Sequence, residues 1–193
     1  MNTVRNIAWR IWRVVRWPLG VIALFLLVFF LYELARVPGR TQATVEAIHS
    51  QKLTIEDVDG SNLPPTPDPT LVDATVEGID ANENGIRDDV ELAIFKKYSS
   101  DRKVRAAALQ YAKAEQRFLT DVSNTPTWKA AAEVSGRANK CIAEVSSDYR
   151  SAQSLTDELD SIILNTPQRS EAYENAHTYT TSYGSQSGAS CDL

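Results

Sequence analysis

The chain has 193 residues, with 20 Lys and Arg against 25 Asp and Glu, for a formal net charge of −5. At 43% hydrophobic and 23% charged it holds enough apolar material for a core, which excludes wholesale disorder. The acidic excess repels phosphate and excludes a general nucleic-acid binder.

The average conceals a split. The charges of the first sixteen residues are all arginines (Arg5, Arg10, Arg13, Arg16), and the first acid is Glu33, so residues 33–193 carry 16 basic and 25 acidic side chains, or −9. Between them, Trp17 to Tyr32 is uncharged and reads WPLGVIALFLLVFFLY. As a helix this run spans about 24 Å, and Leu34, Ala35 and Val37 extend it toward the roughly 30 Å of a bilayer core. Trp9, Trp12, Trp17 and Tyr32 stand where interfacial aromatics stand. The segmentation expected is a basic cytoplasmic segment over 1–16, a transmembrane anchor over 17–37, a stalk over 38–70 and a helical domain over 71–193. The positive-inside rule puts the amino end in the cytoplasm and the acidic part outside, as in a bacterial inner-membrane protein facing the periplasm. A cleaved signal peptide is the rival reading, although Glu33 fits poorly with cleavage after Ala35. A core helix of a soluble protein is the third.

Beyond the anchor, Pro38-Gly39 is expected to stop the helix, and Thr41 to Gln51 to form a short one with Val45, Ala47 and Ile48 on one side. The stretch SNLPPTPDPT (Ser61–Thr70) reads as an extended connector, since proline can neither propagate a helix nor sit in a central strand. Val72, Ala74 and Val76 alternate as in a short strand. From Asp88 onward the pattern is helical. Val90, Ile94 and Tyr98 form a first stripe, and Val104, Ala108, Tyr111 and Phe118–Leu119 a second. Thr125-Pro126 opens a third helix, with Trp128, Ala131, Cys141–Ile142 and Val145 inward. Leu155, Leu159 and Ile162–Ile163 mark a fourth. Thr166-Pro167 opens a fifth, with Ala172, Ala176, Tyr179 and Tyr183 inward and Gly184 as its stop. The fold class expected is mostly α, a small bundle of about five helices.

The chain has two cysteines, Cys141 and Cys191. In an exported domain an even pair reads as a disulfide. Bridging them closes a loop of about fifty residues, worth roughly 4 kcal/mol in the chain-entropy model, and pins the polar tail.

One segment carries chemistry. DANENGIRDDVE (Asp80–Glu91) places Asp80, Asn82, Asn84, Asp88 and Glu91 at positions 1, 3, 5, 9 and 12, with Gly85 at position 6. This is the D-x-[DN]-x-[DN]-G-x5-E spacing, and the segment resembles the loop of EF-hands and related bacterial calcium-loop proteins, including dockerins. The resemblance covers twelve residues and the start of the next helix. It implies Ca2+ held by the side chains of Asp80, Asn82, Asn84, Asp88 and Glu91 and the carbonyl of Ile86. Calcium takes six to eight hard oxygens, and alternate side chains of a tightly wound loop all point inward. Position 8, where EF-hands carry an apolar residue, holds Arg87, and the segment entering the loop does not read as a helix. An unpaired loop with an exit helix alone is therefore expected. An Asn/Asp/Gly-rich turn capping a helix, and magnesium or manganese in place of calcium, are the other readings.

No nucleophile elbow, phosphate-cradling loop or H-E-x-x-H is present. His177, near Ser170, Tyr173 and Glu174, reads as a solvated helix-face residue. The function expected is a membrane-anchored periplasmic calcium-binding module that binds or scaffolds another envelope protein. The alternatives are an envelope hydrolase whose catalytic groups go unrecognised, or a secretion or lysis accessory.

Overall fold

The computed structural model describes residues 2–184 and 188–193, with side chains for 17–32, 36–184 and 188–193. The expectations for the side chains of Trp9, Trp12, Glu33 and the four N-terminal arginines, and for tail residues 185–187, lie outside the described residues. The chain divides into two compact units, Met1–Ala43 and Thr44–Leu193. Among the described residues there are eight helices and no strand.

The described residues of the first unit are all helical. They are the greater part of α1 (Asn2–Ser50), which carries Pro18 and Pro38 in its interior. Every side chain from Trp17 to Tyr32 is exposed. By length and composition this helix is apolar enough to cross a membrane.

The expected stop at Pro38-Gly39 is corrected: α1 runs on to Ser50. Proline removes one helical hydrogen bond and strains the preceding turn, a cost of about 3 kcal/mol. The turns beyond it are held by packing within the second unit, where Ile48 is buried and Val45 lies against the same core. Ala47, expected beside them, is exposed.

In the second unit the stretch read as stalk is largely part of the body. Leu53 and Val58 are core residues. Val58 lies in α2 (Ile55–Asp59), which opens on a capping box in which Thr54 and Asp57 satisfy each other's backbone N–H, and which Gly60 closes in the left-handed region at φ 90°. Residues 63–68 form neither helix nor strand, in keeping with their prolines. Then α3 (Pro69–Val72) makes a single turn.

The strand expected at Val72, Ala74 and Val76 is absent, and Arg169 supplies the reason. Its guanidinium is fully buried and donates to the carbonyls of Val72 (2.6 Å), Thr75 (3.3 Å) and Val76 (3.1 Å). Those are the acceptors a strand would offer to a neighbour.

The five helices read from the apolar stripes are α4 (Asp88–Lys97), α5 (Arg102–Thr120), α6 (Thr125–Val145), α7 (Tyr149–Ile163) and α8 (Pro167–His177). They form the bundle around α5, which packs against α2, α4, α6, α7 and α8. Both α5 and α6, the most extensively packed pair, bury alanines: Ala107, Ala108 and Ala114 on the one, Ala130, Ala131 and Ala138 on the other. Leu109, Ile142, Leu159 and Ile163 fill the centre; each fully buried side chain of this size contributes roughly 1.5–3 kcal/mol. Cys141 of α6 is bridged to Cys191.

Helix α8 ends at His177, short of the expected Tyr183. Thr178 and Thr180 turn their hydroxyls back onto the carbonyls of Asn175 and His177, competing with further helical turns. Tyr183 still packs edge-on against Trp128, with ring centroids 5.8 Å apart. His177 is also not the solvated residue expected. Its ring stacks on Phe118 at 4.7 Å and lies 4.4 Å from Tyr173.

Candidate cation-binding loop

The loop Asp80–Glu91 is wound around its own side-chain oxygens. Asp80 accepts from the backbone N–H of Asn84 through Oδ1 (3.1 Å) and from that of Gly85 through Oδ2 (2.8 Å). Asn84 Oδ1 accepts from Ile86 N at 2.8 Å, and Asp88 Oδ1 from Ala81 N at 2.9 Å. A bond from Asp88 N to the Ile79 carbonyl, 2.8 Å, closes the base. Two residues take positive φ to make the turn, Glu83 at 54° and Gly85 at 84°. The positive φ favours glycine at 85, and a Cβ there, 2.2 Å from Arg117 Nη2, would push the end of that side chain aside.

Helix α4 starts inside this loop and brings Asp88 and Glu91 into it in its first turn. Both are fully buried. Glu91 Oε2 accepts from Asn82 Nδ2 at 3.1 Å. Its other oxygen, Oε1, makes no hydrogen bond of ordinary geometry, and neither does Asp88 Oδ2 or Asn84 Nδ2, although the Asn84 amide stands close enough to Glu91 to favour its charged form. Burial pushes the Glu91 carboxyl up to about 7; the Asn82 and Asn84 amides oppose the rise, and the charges of Asp57 and Asp88 add to it. Burial likewise raises Asp88, opposed by the Ala81 N–H and reinforced by Asp80 and Asp89. A buried carboxylate oxygen left without a partner is costly, and two such oxygens, one on each carboxylate, stand within one helical turn.

The sequence-predicted residues therefore divide. Asp80, Asn82, Asn84, Asp88 and Glu91 are brought into one turn by the bonds above, while Ile86 buries its side chain in the core. No group of three or more His, Cys, Asp or Glu side chains among the described residues already stands in a metal-holding arrangement. The full ligand set implied by the spacing has only three acids, the rest being carboxamides and a carbonyl.

Sequence reasoning missed the residues that hold the loop in place. Arg87 is buried and donates to the carbonyls of Ile163 (3.0 Å) and Ile162 (3.1 Å) and to Asn165 Oδ1 (3.2 Å). The position that is apolar in an EF-hand here caps the end of α7. Arg117 donates to the Gly85 carbonyl at 3.1 Å. Arg169 holds the segment that leads into the loop, adding an ion pair to Asp73, 2.6 Å, to its bonds with Val72, Thr75 and Val76. From the other side Asn82 Nδ2 donates to the Asn62 carbonyl at 2.6 Å, and Asn62 Nδ2 to Asp57 Oδ1 at 3.1 Å. Two signals pointed here: Arg169 shares the inward spacing of Ala172 and Ala176, and Thr54-x-x-Asp57 is a capping-box spacing.

The loop's likeness to calcium-binding proteins rests on its spacing alone. Comparison of the chain with protein-family models, with curated proteins and with solved structures finds no significant match.

Proposed function

We propose that this protein is a single-pass, membrane-anchored calcium-binding module of the bacterial envelope, whose acidic helical body lies in the periplasm and binds or scaffolds another envelope protein. The cation reading is carried by one observation, the pair of partnerless buried oxygens, Asp88 Oδ2 and Glu91 Oε1, at the end of an EF-hand-like spacing. A plain helix-capping turn has no use for a fully buried glutamate at its twelfth position. A hard divalent cation supplies the charge those oxygens lack. Asp80, Asn82, Asn84, Asp88, Glu91 and the Ile86 carbonyl would hold it, and two carboxamides among them favour a weak site, with Kd on the order of 10⁻⁴ M.

The anchor reading rests on the exposed apolar run from Trp17 to Tyr32. Its orientation rests on the arginines before that run and the net −9 of residues 33–193. In spheroplasts the chain should stay with the membranes through alkaline carbonate washing, and external protease should reach residues 44–193. Recovery in the soluble fraction would overturn the anchor.

The cation is tested by calorimetric titration of the full chain in detergent micelles with calcium. A one-to-one isotherm is expected, lost in Asp80→Ala and Glu91→Gln. Calcium at about 100 times Kd should stabilise the fold by roughly 2.7 kcal/mol. Superimposable melting curves in chelator and in 10 mM calcium would remove the metal.

A further inference from the structure

The loop and the disulfide are separated by a short strap of chain, residues 51–62, and each holds one end of it. At the disulfide end, the backbone N–H of Leu53 donates to Asp192 Oδ2 at 3.1 Å. Asp192 directly follows Cys191, and its Oδ1 accepts from Arg137 Nη1 at 2.5 Å. Gln110 fixes the same tail twice, donating to the Ser190 carbonyl (2.8 Å) and accepting from Asp192 N (2.9 Å). At the loop end, Asp57 receives Thr54 N at 2.9 Å and Asn62 Nδ2 at 3.1 Å. The Asn62 carbonyl and Glu91 Oε2 share Asn82 Nδ2, at 2.6 and 3.1 Å. These hydrogen bonds, joined through the peptide links Cys191–Asp192 and Leu53–Thr54, lead from Cys191 to the ligand set, and between its two ends the strap buries Leu53 and Val58 in the core.

We infer that the Cys141–Cys191 disulfide regulates the cation site: with the bridge intact the strap is held and Asn82 and Glu91 are preorganised, and reduction weakens cation binding. The inference rests on the reading of the loop as a calcium site. Its mechanism is preorganisation. The bridge tethers Cys191 to α6 and so keeps Asp192 beside Leu53 and Arg137; without it the tail is held only by its contacts with Gln110, Arg137 and Leu53, against a larger loss of chain freedom. Once Asp192 leaves, the Leu53 N–H loses its acceptor and Arg137 its counter-ion. The ordering of the strap must then be supplied by the binding cation, which lowers its apparent affinity.

Chemical access is in place. Cys141 is buried, whereas Cys191 is only partly so and opens on a groove lined by Leu53, Lys103, Gln110, Glu144 and Leu193. The reductant class is a dithiol. One of its thiolates bonds to Cys191 Sγ, the Sγ–Sγ bond breaks, and Cys141 leaves as a thiolate that takes up a proton. The second thiol, as thiolate, then displaces Cys191, which is protonated in turn. Two electrons have entered the protein and the reagent has become a cyclic disulfide.

Coupling of this kind is reciprocal. The test uses the full chain in micelles, titrated with calcium alone, oxidised and after reduction by a dithiol under anaerobic conditions. Reduction should raise Kd at least about fivefold, the lower end of ordinary coupling between sites. The ratio of dithiol to its oxidised form needed for half-reduction should rise by the same factor in saturating calcium. Asp192→Asn, which keeps the bridge and weakens the tail's grip on Leu53 and Arg137, should bind more weakly while still oxidised and respond less to reduction. That arm holds even if the reduced chain loses its fold. Equal affinities in oxidised and reduced protein, or an Asp192→Asn variant indistinguishable from the parent, would overturn the coupling and leave the calcium reading intact. Absence of any binding heat in the oxidised parent would remove both.

Discussion

Arg87 Nε lies 2.5 Å from Asp89 Oδ1, and the same guanidinium reaches the carbonyls of Ile162 and Ile163 across the core. One side chain therefore joins the start of α4 to the end of α7, and it does so with its charge wholly buried. Replacing Arg87 by leucine would strand two carbonyls, each costing about 1–3 kcal/mol. The expected loss is about 3 kcal/mol or more of unfolding free energy, read by urea denaturation. Lysine should recover little of it, having no planar fork to span Asp89 and both carbonyls. A leucine variant with an unchanged midpoint would show that the contact contributes nothing.

Gly85→Ala should destabilise the loop directly. Its φ of 84° costs an alanine about 1–2 kcal/mol, and the added carbon displaces Arg117 from the Gly85 carbonyl. We expect a lower melting temperature in chelator and a weaker calcium isotherm together. A variant as stable as the parent would mean that the loop backbone is not held in this turn.

Ile48→Ala distinguishes a packed helix end from a free stalk. With Ile48 only 2% exposed, truncation should cost about 2–5 kcal/mol. The exposed neighbour Ala47 should tolerate serine within about 0.5 kcal/mol. Equal stabilities for the two variants would return this stretch to the status of a linker.

Stability should also depend on pH through Glu115. It is 2% exposed, receives hydrogen bonds from Ser135 Oγ (2.5 Å) and Tyr173 OH (3.0 Å), and is pushed up to about 7 by burial. The hydroxyl bonds oppose that rise and the charge of Asp160 adds to it. A folded-state value above the unfolded 4.5 means the native protein binds the extra proton. This contribution is complete below about 4.5 and is lost as pH rises toward 7 and past it, on the order of 3 kcal/mol in all. Glu115→Gln should flatten that part of the profile and gain on the parent above pH 7. Parallel profiles for the two chains would exclude Glu115 as the source.

Much of the body was legible because it obeys one rule. Stripes such as Leu155, Leu159 and Ile163, and caps such as Thr166-Pro167, are local signals, and α4–α8 appear where those signals lie. What was misread is where a distant residue overrides a local preference. Pro38-Gly39 reads as a stop because the burial of Ile48 ten residues on is invisible from it. Val72 to Val76 reads as a strand because nothing nearby announces that Arg169 takes its carbonyls. At the candidate site the spacing exposed the oxygens. The clamps on the loop did not show, because Arg87, Arg117 and Arg169 look like solvated charges until tertiary contacts bury or engage them.

The hold of Arg169 on the segment after α3 has a further consequence. Freed of the guanidinium and drawn out of its bends, this valine-bearing stretch would offer open acceptors, a template on which a second chain can zip. In the folded chain the guanidinium occupies three of them from inside the molecule, the carbonyl at the end of α3 and two in the bends that follow. Arg169→Met should therefore make the protein self-associate through this segment under conditions where the parent stays dispersed, a defence against aggregation built from one buried cation.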